Sequence, residues 1–190
     1  DLNFHDARFT ESSSYNPSSP YSASKASSDL LVKSWSRTYD LNYIITNCSN
    51  NFGARQHTEK LIPTVIRKIL SNQKIPIYGN GLNIRDWIFA QDHSQAIISI
   101  HEHDLINERI NIGGDHEISN LALVKYILKM MDRSEDLIEF VDDRLGHDLR
   151  YAIDNTKIYS LTDWRPTQHF DKNIQETIEW YQNNPNWWES

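Results

Sequence analysis

Short runs rich in β-branched and aromatic residues alternate along the whole chain with longer segments whose apolar residues recur every three to four positions. A strand presents alternate residues to each face, whereas a helix presents one apolar stripe, so the two patterns predict different elements. Strands that alternate with helices are typical of an α/β fold. With 190 residues, the chain is long enough to bury a hydrophobic core.

The patterns also give approximate boundaries for each element. Helices are predicted at Pro20–Tyr39, Glu59–Leu70, His93–His103, Ser119–Met131 and Phe170–Asn184. Strands are predicted at 41–47, 75–81, 85–91, 109–114, 137–143 and 149–154, the second and fourth of these ending in a glycine turn. Asp92 is expected to cap the third helix, and Ser119 or Asn120 the fourth. The Asn- and Gly-containing segment 48–57 is expected to be a loop.

Composition excludes several classes of partner. The formal net charge is −7 at pH 7, which argues against broad nucleic-acid binding, although a few converging cations can still hold a diphosphate. No apolar run approaches the length of a membrane span, and the first residues lack the basic and apolar regions of an export signal. The single cysteine, Cys48, excludes an internal disulfide and suits a reducing compartment. We therefore expect a cytoplasmic protein with no nucleic-acid or membrane partner.

The titratable groups do not predict a metal site. His93, His101 and His103 fall in or beside one predicted helix, but no two of them have the i, i+4 spacing of a helical metal site. Cys48 lies in an apolar stretch, so we expect a buried, unreactive thiol.

The segment SSPYSASK, residues 18–25, combines a helix start with a tyrosine–lysine pair. Ser19 is a favourable N-cap, and Pro20 suits the first helical position. Tyr21 and Lys25, at i and i+4, therefore share one helix face. An ammonium held beside a phenol favours the phenolate, which makes such a tyrosine a candidate general base near neutral pH. On spacing alone, an ordinary surface pair explains the motif better.

The chain has no dinucleotide fingerprint. Nucleotide-binding α/β enzymes usually open with a strand, a glycine-rich turn and a helix whose N-terminus holds the pyrophosphate. Gly79 and Gly81 form a G-x-G, but no third glycine follows at the required position. Either the chain is a binding module of another kind, or it is the later portion of a larger enzyme, and we expect the second.

Several short stretches follow one another in a specific order and spacing. They are PSSPYSASKASSD (17–29), TNCSNNFG (46–53), EKLIP (59–63), PIYGNG (76–81), IRDWIF (84–89), INIGG (110–114), SNL (119–121), DRLGHDLRYAID (143–154) and the closing WY…NWW. In this arrangement the chain resembles the extended short-chain dehydrogenase/reductase family, and within it the dTDP-glucose 4,6-dehydratases. The resemblance covers essentially all 190 residues.

The resemblance implies an NAD-dependent enzyme in which Tyr21 and Lys25 are the family's Y-x-x-x-K pair. Lys25 would hold the nicotinamide ribose, and Tyr21 would take the proton of the sugar 4-hydroxyl as hydride leaves C4 for NAD+. Water would then be lost across C5 and C6, and hydride would return to C6, so that dTDP-glucose becomes dTDP-4-keto-6-deoxy-glucose. The family's acid and base for the elimination, an adjacent Asp–Glu pair in a T-D-E segment, would lie before Asp1. The 190 residues alone are therefore expected to be inactive.

The family pattern also implies ligand contacts, residue by residue. Asn51 would contact the nicotinamide end of the cofactor, and Asn50 the substrate. Arg85 and Arg144 would bind the diphosphate, because a guanidinium matches phosphate geometry. The other implied substrate residues are Lys60, Leu61, Pro76, Ile77, Tyr78, Asn120, Asp143, Leu145, Gly146 and His147, with 76–78 around the thymine.

Each of these residues also has an ordinary structural explanation. Asn50 and Asn51 are common turn formers, Arg85 could pair with Asp86 or another carboxylate, and His147 could be a loop residue. Two loops depart from the family pattern. ARQHT follows Gly53 where many members carry proline and aromatic residues, and Leu145 stands where the pattern usually has proline. Both loops would flank the nucleotide. Their departures from the pattern therefore bear more on whether the substrate carries thymidine or uridine than on which reaction is catalysed.

The resemblance further implies two structural parts and a partner. Residues 1–55 would end the NAD-binding Rossmann-type domain, without its N-terminal part. Residues 56–190 would mainly form a smaller mixed α/β lobe that binds the sugar nucleotide, with some segments returning to the Rossmann domain. The full-length enzyme would be a homodimer.

Two other functions fit the same motifs. One is another sugar-nucleotide enzyme of the family: a UDP-glucose 4,6-dehydratase, a 4-epimerase or a UDP-glucuronate decarboxylase, all of which share Y-x-x-x-K. The other is a non-catalytic domain that binds a nucleotide sugar. An Asp–Glu pair after Thr, upstream of Asp1, would separate dehydration from epimerisation.

Overall fold

The structure is a computed structural model that describes residues 2–167 and 169–189. Its helices are α1 (Pro20–Tyr39), α2 (Leu61–Leu70), α3 (Ala90–Glu102), α4 (Asn120–Met130), α5 (Thr156–Leu161), α6 (Phe170–Asn183) and α7 (Asn186–Glu189). Its strands are β1 (Ile44–Cys48), β2 (Asn50–Phe52), β3 (Ile75–Tyr78), β4 (Ile84–Phe89), β5 (Glu108–Ile112), β6 (Glu117–Ser119), β7 (Ile138–Val141) and β8 (Arg150–Tyr151). A 3₁₀ turn, Glu135–Leu137, precedes β7. None of the described helices has the length and apolarity needed to cross a membrane.

Most strand pairs are parallel, as the predicted α/β class requires. β1 pairs with β5, and β3 pairs with β7, both in parallel. β4 lies between β2 and β6, parallel to β2 and antiparallel to β6, and its first residues also pair in parallel with β8. Parallel neighbours need crossover connections, and helices supply them here. The prediction of an α/β fold is confirmed.

The main core forms around α2. Its apolar residues recur at i, i+3, i+4 and i+7, and the side chains of Ile62, Val65, Ile66 and Ile69 are completely buried. The helix packs against α4 and α6, whose own apolar stripes complete this core. These residues lie inside the helix predicted at Glu59–Leu70, and Leu61, its first residue in the structure, is only partly buried.

The helix α1 has the predicted bounds but buries no residue. The Oγ of Ser19 accepts a hydrogen bond from the Ser22 N–H at 3.2 Å, and Pro20 occupies the first helical position. The helix ends at Asp40, whose left-handed φ of 53° closes the last turn. The helix start is therefore fixed by its cap and its proline rather than by burial.

Two local predictions are wrong, for non-local reasons. The segment 48–57 contains the strand β2, because Asn50–Phe52 pairs with β4 and the Phe52 ring is buried in the core. Asp92 does not cap α3, which begins at Ala90. Its carboxylate instead accepts hydrogen bonds from the backbone N–H and the hydroxyl of Thr167. Ser119 caps α4 as predicted, accepting from the Ala122 N–H.

A network of charges joins the N-terminal segment to β6 and β8. The carboxylate of Glu117 accepts from the Nε of Arg8 at 2.9 Å and from the Nε of Arg150 at 2.7 Å. Arg150 is buried and also donates to the carbonyl of Asp6. Burial alone would raise the pKa of Glu117, but the bonds from Arg150 and Arg8 outweigh it and hold the pKa below its ordinary value. The ionised carboxylate therefore stabilises the folded chain.

We predict that Glu117→Gln destabilises the chain by about 1.5–3 kcal/mol at pH 7, because hydrogen bonds to charged groups are lost. Since the folded-state pKa is lowered, this stabilisation is present above the unfolded value of about 4.3 and is lost as the pH falls through the folded value. The difference between the two proteins should therefore shrink in acid. Urea unfolding at pH 7 and at a series of lower pH values measures it.

Glu135→Gln is the matched control. Glu135 pairs with Lys125 at 2.7 Å, but its side chain is 59% exposed, so its loss should cost less than about 1 kcal/mol. Equal losses for the two variants would contradict a special role for the Glu117 network.

Candidate functional site

The loop after β7 folds back over the end of β3. The N–H of Gly79 donates to the carbonyl of Val141 at 2.9 Å, and Gly79 has a φ of 57°. A Cβ at this position would lie 2.8 Å from a carboxylate oxygen of Asp143, and the left-handed φ strains most other residues, so both features favour glycine here. The guanidinium of Arg144 then lies 5.0 Å from the ring centroid of Tyr78. Two predicted ligand residues from distant stretches are thus in contact.

His147 orients the predicted diphosphate arginine. Its Nδ1 lies 2.7 Å from Oδ1 of Asp143, and its Nε2 lies 3.0 Å from Nη2 of Arg144. A carboxylate can only accept and a guanidinium can only donate, so a neutral His147 carries its proton on Nδ1. The hydrogen bond from His147, aided by the Arg144 N–H, holds the pKa of Asp143 below its ordinary value. The His147 side chain is 4% exposed, which makes this a fixed arrangement rather than a surface contact.

Arg85 lies on β4 and points at the same loop. Its Nη2 donates to the backbone carbonyl of Asp148 at 2.8 Å, and its Nη1 donates to that of Ile84 at 2.7 Å. Burial lowers the pKa of Arg85, Asp148 offsets part of this effect, and nearby Arg144 adds to it. The group remains a cation at neutral pH.

Within the described residues, no carboxylate oxygen lies within ion-pair distance of Arg85 or Arg144. Two neighbouring guanidinium groups without a carboxylate partner favour an anion between them.

Asp148 also ties this loop to the start of α1. The Oγ of Ser18 donates to Oδ1 of Asp148 at 3.1 Å. The carbonyl of Asp148 accepts from Arg85 and also from Nδ2 of Asn83 at 3.0 Å. The loop therefore connects β4 to the residue just before the N-cap of α1. A Cβ on Gly146, whose φ is 67°, would lie 3.3 Å from the carbonyl of Ser18, so the contact is close.

The tyrosine–lysine pair lies on α1, directly beyond this junction. Tyr21 is 72% exposed, and the Nζ of Lys25 lies 5.8 Å from the centroid of its ring. The two side chains share one face of the helix, as the i, i+4 spacing predicts. Ser18, which precedes the N-cap of this helix, contacts Asp148, the residue whose carbonyl also binds Arg85.

Tyr78, Arg85, Asp143, Arg144 and His147 are called the cluster below. The remaining predicted residues lie on other elements. Asn50 and Asn51 lie on β2, opposite Trp87 and Ile88 of β4. Asn120 begins α4, and its N–H donates to the carbonyl of Asn83. Lys60 precedes α2 and is exposed, as are Tyr78 and the fully exposed Leu145; Pro76 is partly exposed.

Ile77 is the predicted substrate residue that the structure places in the core, where it is 2% exposed. A Cβ on Gly81 would meet its side chain at 2.7 Å. Its contribution to a nucleotide pocket would therefore be through the backbone of β3.

Sequence reasoning missed the residues that join these parts. Ser18 and Asp148 are separated by 130 positions, and no local pattern pairs them. Asn83 carries no motif of its own. Asp148 lies inside the stretch DRLGHDLRYAID and Ser18 inside PSSPYSASKASSD, and these two stretches are the signals that could have included them.

A separate cavity of about 360 Å³ opens beside β4. Trp87, Phe89, Asp92, His116 and Phe170 are among the residues that line it, and none of the predicted ligand residues does. The predicted residues therefore lie outside this cavity. In the part of the chain that the structure describes, no three His, Cys, Asp or Glu side chains are grouped to hold a metal ion.

Known proteins are similar to this chain over nearly its whole length. The dTDP-glucose 4,6-dehydratase of Neisseria meningitidis serogroup B is 45% identical over an alignment of 201 residues. The alignment covers 100% of this chain and 57% of that protein. The Escherichia coli dTDP-glucose 4,6-dehydratase is 47% identical over 192 residues, covering 95% of this chain and 53% of that protein. The chain therefore spans about half the length of the curated relatives it matches.

Solved structures agree with the fold. A dTDP-glucose 4,6-dehydratase from Bacillus anthracis, in complex with NAD, superposes with a TM-score of 0.92 at 42% identity, over 97% of this chain and 59% of that one. The Streptomyces venezuelae enzyme of the same name, also solved with NAD, gives a TM-score of 0.94 at 40% identity, over 97% and 57%. A UDP-glucuronic acid 4-epimerase from Bacillus cereus, at 22% identity and a TM-score of 0.90, shares the fold alone.

One sequence model covers nearly the whole chain. The model of the family described as GDP-mannose 4,6 dehydratase matches residues 3–177. The resemblance inferred from the motifs is confirmed, and the chain belongs to the GDP-mannose 4,6 dehydratase family.

Proposed function

We propose that this chain supplies the proton-transfer pair and the nucleotide-binding residues of an NAD-dependent dTDP-glucose 4,6-dehydratase. The observation that carries the proposal is the junction at Asp148. Its side chain holds the start of the helix that presents Tyr21, and its backbone carbonyl holds Arg85. The helix of the proposed general base and the proposed diphosphate cation thus both contact one residue. The identities to enzymes of that name support the substrate and the cofactor.

The residues on α1 fit a nicotinamide cofactor. Tyr21 is exposed, so its hydroxyl is accessible to a substrate, and Lys25 follows one turn later on the same face. When bound, NAD+ would accept hydride from C4 of the sugar and return it to C6. Tyr21 would take the proton of the 4-hydroxyl, and the Nζ of Lys25 would hold the cofactor ribose and favour the phenolate.

The cluster around Arg85 and Arg144 would bind the nucleotide. His147 holds the Arg144 guanidinium and Tyr78 lies against it, so little side-chain freedom is left to lose on binding. Asn50, Lys60, Leu61, Pro76, Ile77, Asn120, Asp143, Leu145 and Gly146 would complete the substrate site, and Asn51 would contact the cofactor.

The other assignments that the resemblance implies are also proposals. They are the division into a Rossmann-type part at 1–55 and a sugar-nucleotide lobe at 56–190, a homodimer of the full-length enzyme, a cytoplasmic location and the lyase class.

The reaction is tested by product analysis. Expressed with the coding sequence that precedes Asp1 and supplied with dTDP-glucose and NAD+, the protein should form the 4-keto-6-deoxy product. Formation of an epimer without a keto product would contradict the dehydratase assignment and favour a 4-epimerase. The 190 residues alone should show no turnover, because they contain neither the glycine-rich turn nor the Asp–Glu pair.

In the same protein, Tyr21→Phe should lower kcat by on the order of 10²–10⁴-fold, because general-base catalysis is lost. Affinity for dTDP should stay unchanged, since the diphosphate cluster does not include the Tyr21 hydroxyl. Tyr39→Phe, at the other end of α1 and 59% exposed, is the matched control and should leave kcat unaltered. An unaltered rate for Tyr21→Phe as well would remove Tyr21 from the mechanism.

Replacing Arg85 or Arg144 by Ala should weaken dTDP binding about ten- to a hundredfold, since a charge-assisted contact is worth about 1.5–3 kcal/mol. Lys should restore only part of the affinity, because an ammonium lacks the planar fork. Thymidine has no diphosphate, so its binding should hardly change. Calorimetric titration of both ligands gives the comparison.

Arg133→Ala is the control for these variants, because Arg133 is exposed and lies after α4, outside the cluster. Equal losses for dTDP and thymidine, or a lowered Tm without ligand, would mean that the arginines hold the fold rather than the diphosphate.

A further inference from the structure

The side chain of Asn51 is held on several sides by its neighbours. Its Nδ2 donates to the Sγ of Cys48 and to the carbonyl of Ser49, both at 3.2 Å. Its Oδ1 lies 2.8 Å from Nδ1 of His93. Its backbone carbonyl accepts from Nε2 of Gln56 at 2.8 Å. Neither Gln56 nor His93 belongs to the predicted site.

His93 is placed by the junction of β4 and α3. Asn51 pairs with Ile88 in the parallel ladder, and α3 begins at Ala90, directly after β4. His93 therefore lies in the first turn of α3, beside the strand that carries Asn51. Burial lowers the pKa of His93, so the ring is neutral near pH 7. Its Nε2 is buried and, among the described residues, has no hydrogen-bond partner.

The hydrogen bonds determine which way the Asn51 amide faces. Carbonyl and thiol sulfur are the acceptors on one side, so the NH₂ group faces Ser49 and Cys48. The Oδ1 then faces His93, whose Nδ1 must carry the proton and donate. An amide oxygen has two lone pairs, and among the described residues only His93 donates to this one. Asn51 is half-buried, so part of the residue is accessible to a ligand.

Gln56 fixes the backbone of the same residue. It lies in the ARQHT loop, where the chain departs from the family pattern. The carbonyl of Gln56 accepts from the hydroxyl of Tyr181 at 2.7 Å, and the Tyr181 side chain is buried in the core. The loop is thus anchored to α6 while its glutamine amide holds Asn51.

We propose that His93 is a positioning residue, which orients the Asn51 amide so that its oxygen accepts a hydrogen bond from an N–H donor on the cofactor, and that Gln56 holds the Asn51 backbone in place. The carboxamide of nicotinamide offers such a donor. The inference rests on the proposed function, because Asn51 is taken as a cofactor contact.

The test compares three replacements of His93 in the protein expressed with the coding sequence that precedes Asp1. His93→Asn keeps a polar group near the Nδ1 position, His93→Gln moves it towards the Nε2 position, and His93→Leu removes it. Leu and Gln should weaken NAD+ binding about tenfold, the worth of one hydrogen bond, and Asn should restore most of it. Binding of dTDP should be unaffected in all three. His101→Leu, on an exposed turn of the same helix, is the control.

A double-mutant cycle separates positioning from a structural role. If His93 acts through Asn51, His93→Leu should cause no further loss of NAD+ affinity in an Asn51→Ala background. Additive losses would overturn the proposal, as would NAD+ binding by His93→Leu that equals the unmodified protein. Equal loss of NAD+ and dTDP binding in all three His93 variants would overturn it too, because only a general structural defect has that effect.

A second readout does not depend on catalysis. In the 190-residue chain, the Asn51 side-chain N–H protons should exchange slowly with solvent, and His93→Leu, but not His93→Asn, should speed this exchange. Unchanged exchange in His93→Leu would contradict the proposal that His93 orients the Asn51 amide. Changed exchange together with unchanged NAD+ binding would overturn the link to the cofactor, and absence of dehydratase product in the unmodified protein would instead count against the proposed function.

Discussion

The arrangement of the strands around β4 depends on the buried carboxylate of Asp86, in the middle of that strand. Asp86 is 1% exposed, and its oxygens accept from the N–H groups of His116 at 2.8 Å and Gly114 at 3.0 Å. Burial raises its pKa, although these donors offset part of the effect. A Cβ on Gly114 would lie 1.8 Å from the carbonyl of Trp87, so only glycine lets the turn after β5 come close enough to donate. These hydrogen bonds hold β4 against β5 and β6.

The burial of Asp86 also determines the face of the sheet towards which the Arg85 side chain points. Neighbouring residues of a strand face opposite sides of the sheet, so burial of Asp86 on one side turns Arg85 to the other. There it meets the carbonyl of Asp148 instead of a carboxylate. Pairing of Arg85 with Asp86, the ordinary explanation of this arginine, is therefore excluded. The buried carboxylate of Asp86 thus determines the side of the sheet on which the proposed diphosphate cation lies.

Sequence reasoning succeeded where structure is encoded locally and failed where it is not. The bounds of α1 follow from Ser19, Pro20 and a helical pattern, and the buried stripe of α2 follows from spacing alone. The strand β2 was missed because its asparagines favour a loop, and only pairing with β4 makes it extended. The same holds for Asp92, which bonds to Thr167 75 positions away, and for the junction of Ser18 with Asp148. The family resemblance supplied the proposed ligand residues, but no local pattern predicted which of them are in contact.

The fold cannot choose between dehydration and epimerisation, because a 4-epimerase at 22% identity has nearly the same backbone. Oxidation at C4 is common to both reactions, and in either of them it would use the proposed tyrosine–lysine pair. The nucleotide base also distinguishes a thymidine substrate from a uridine substrate only weakly. Thymine has one methyl group more than uracil, and burying such a group contributes about 0.8 kcal/mol. That is less than a tenfold difference in affinity. The groups that act on the 4-ketone after oxidation decide the outcome, so the identity of the product is more informative about this chain than the identity of the nucleotide it binds.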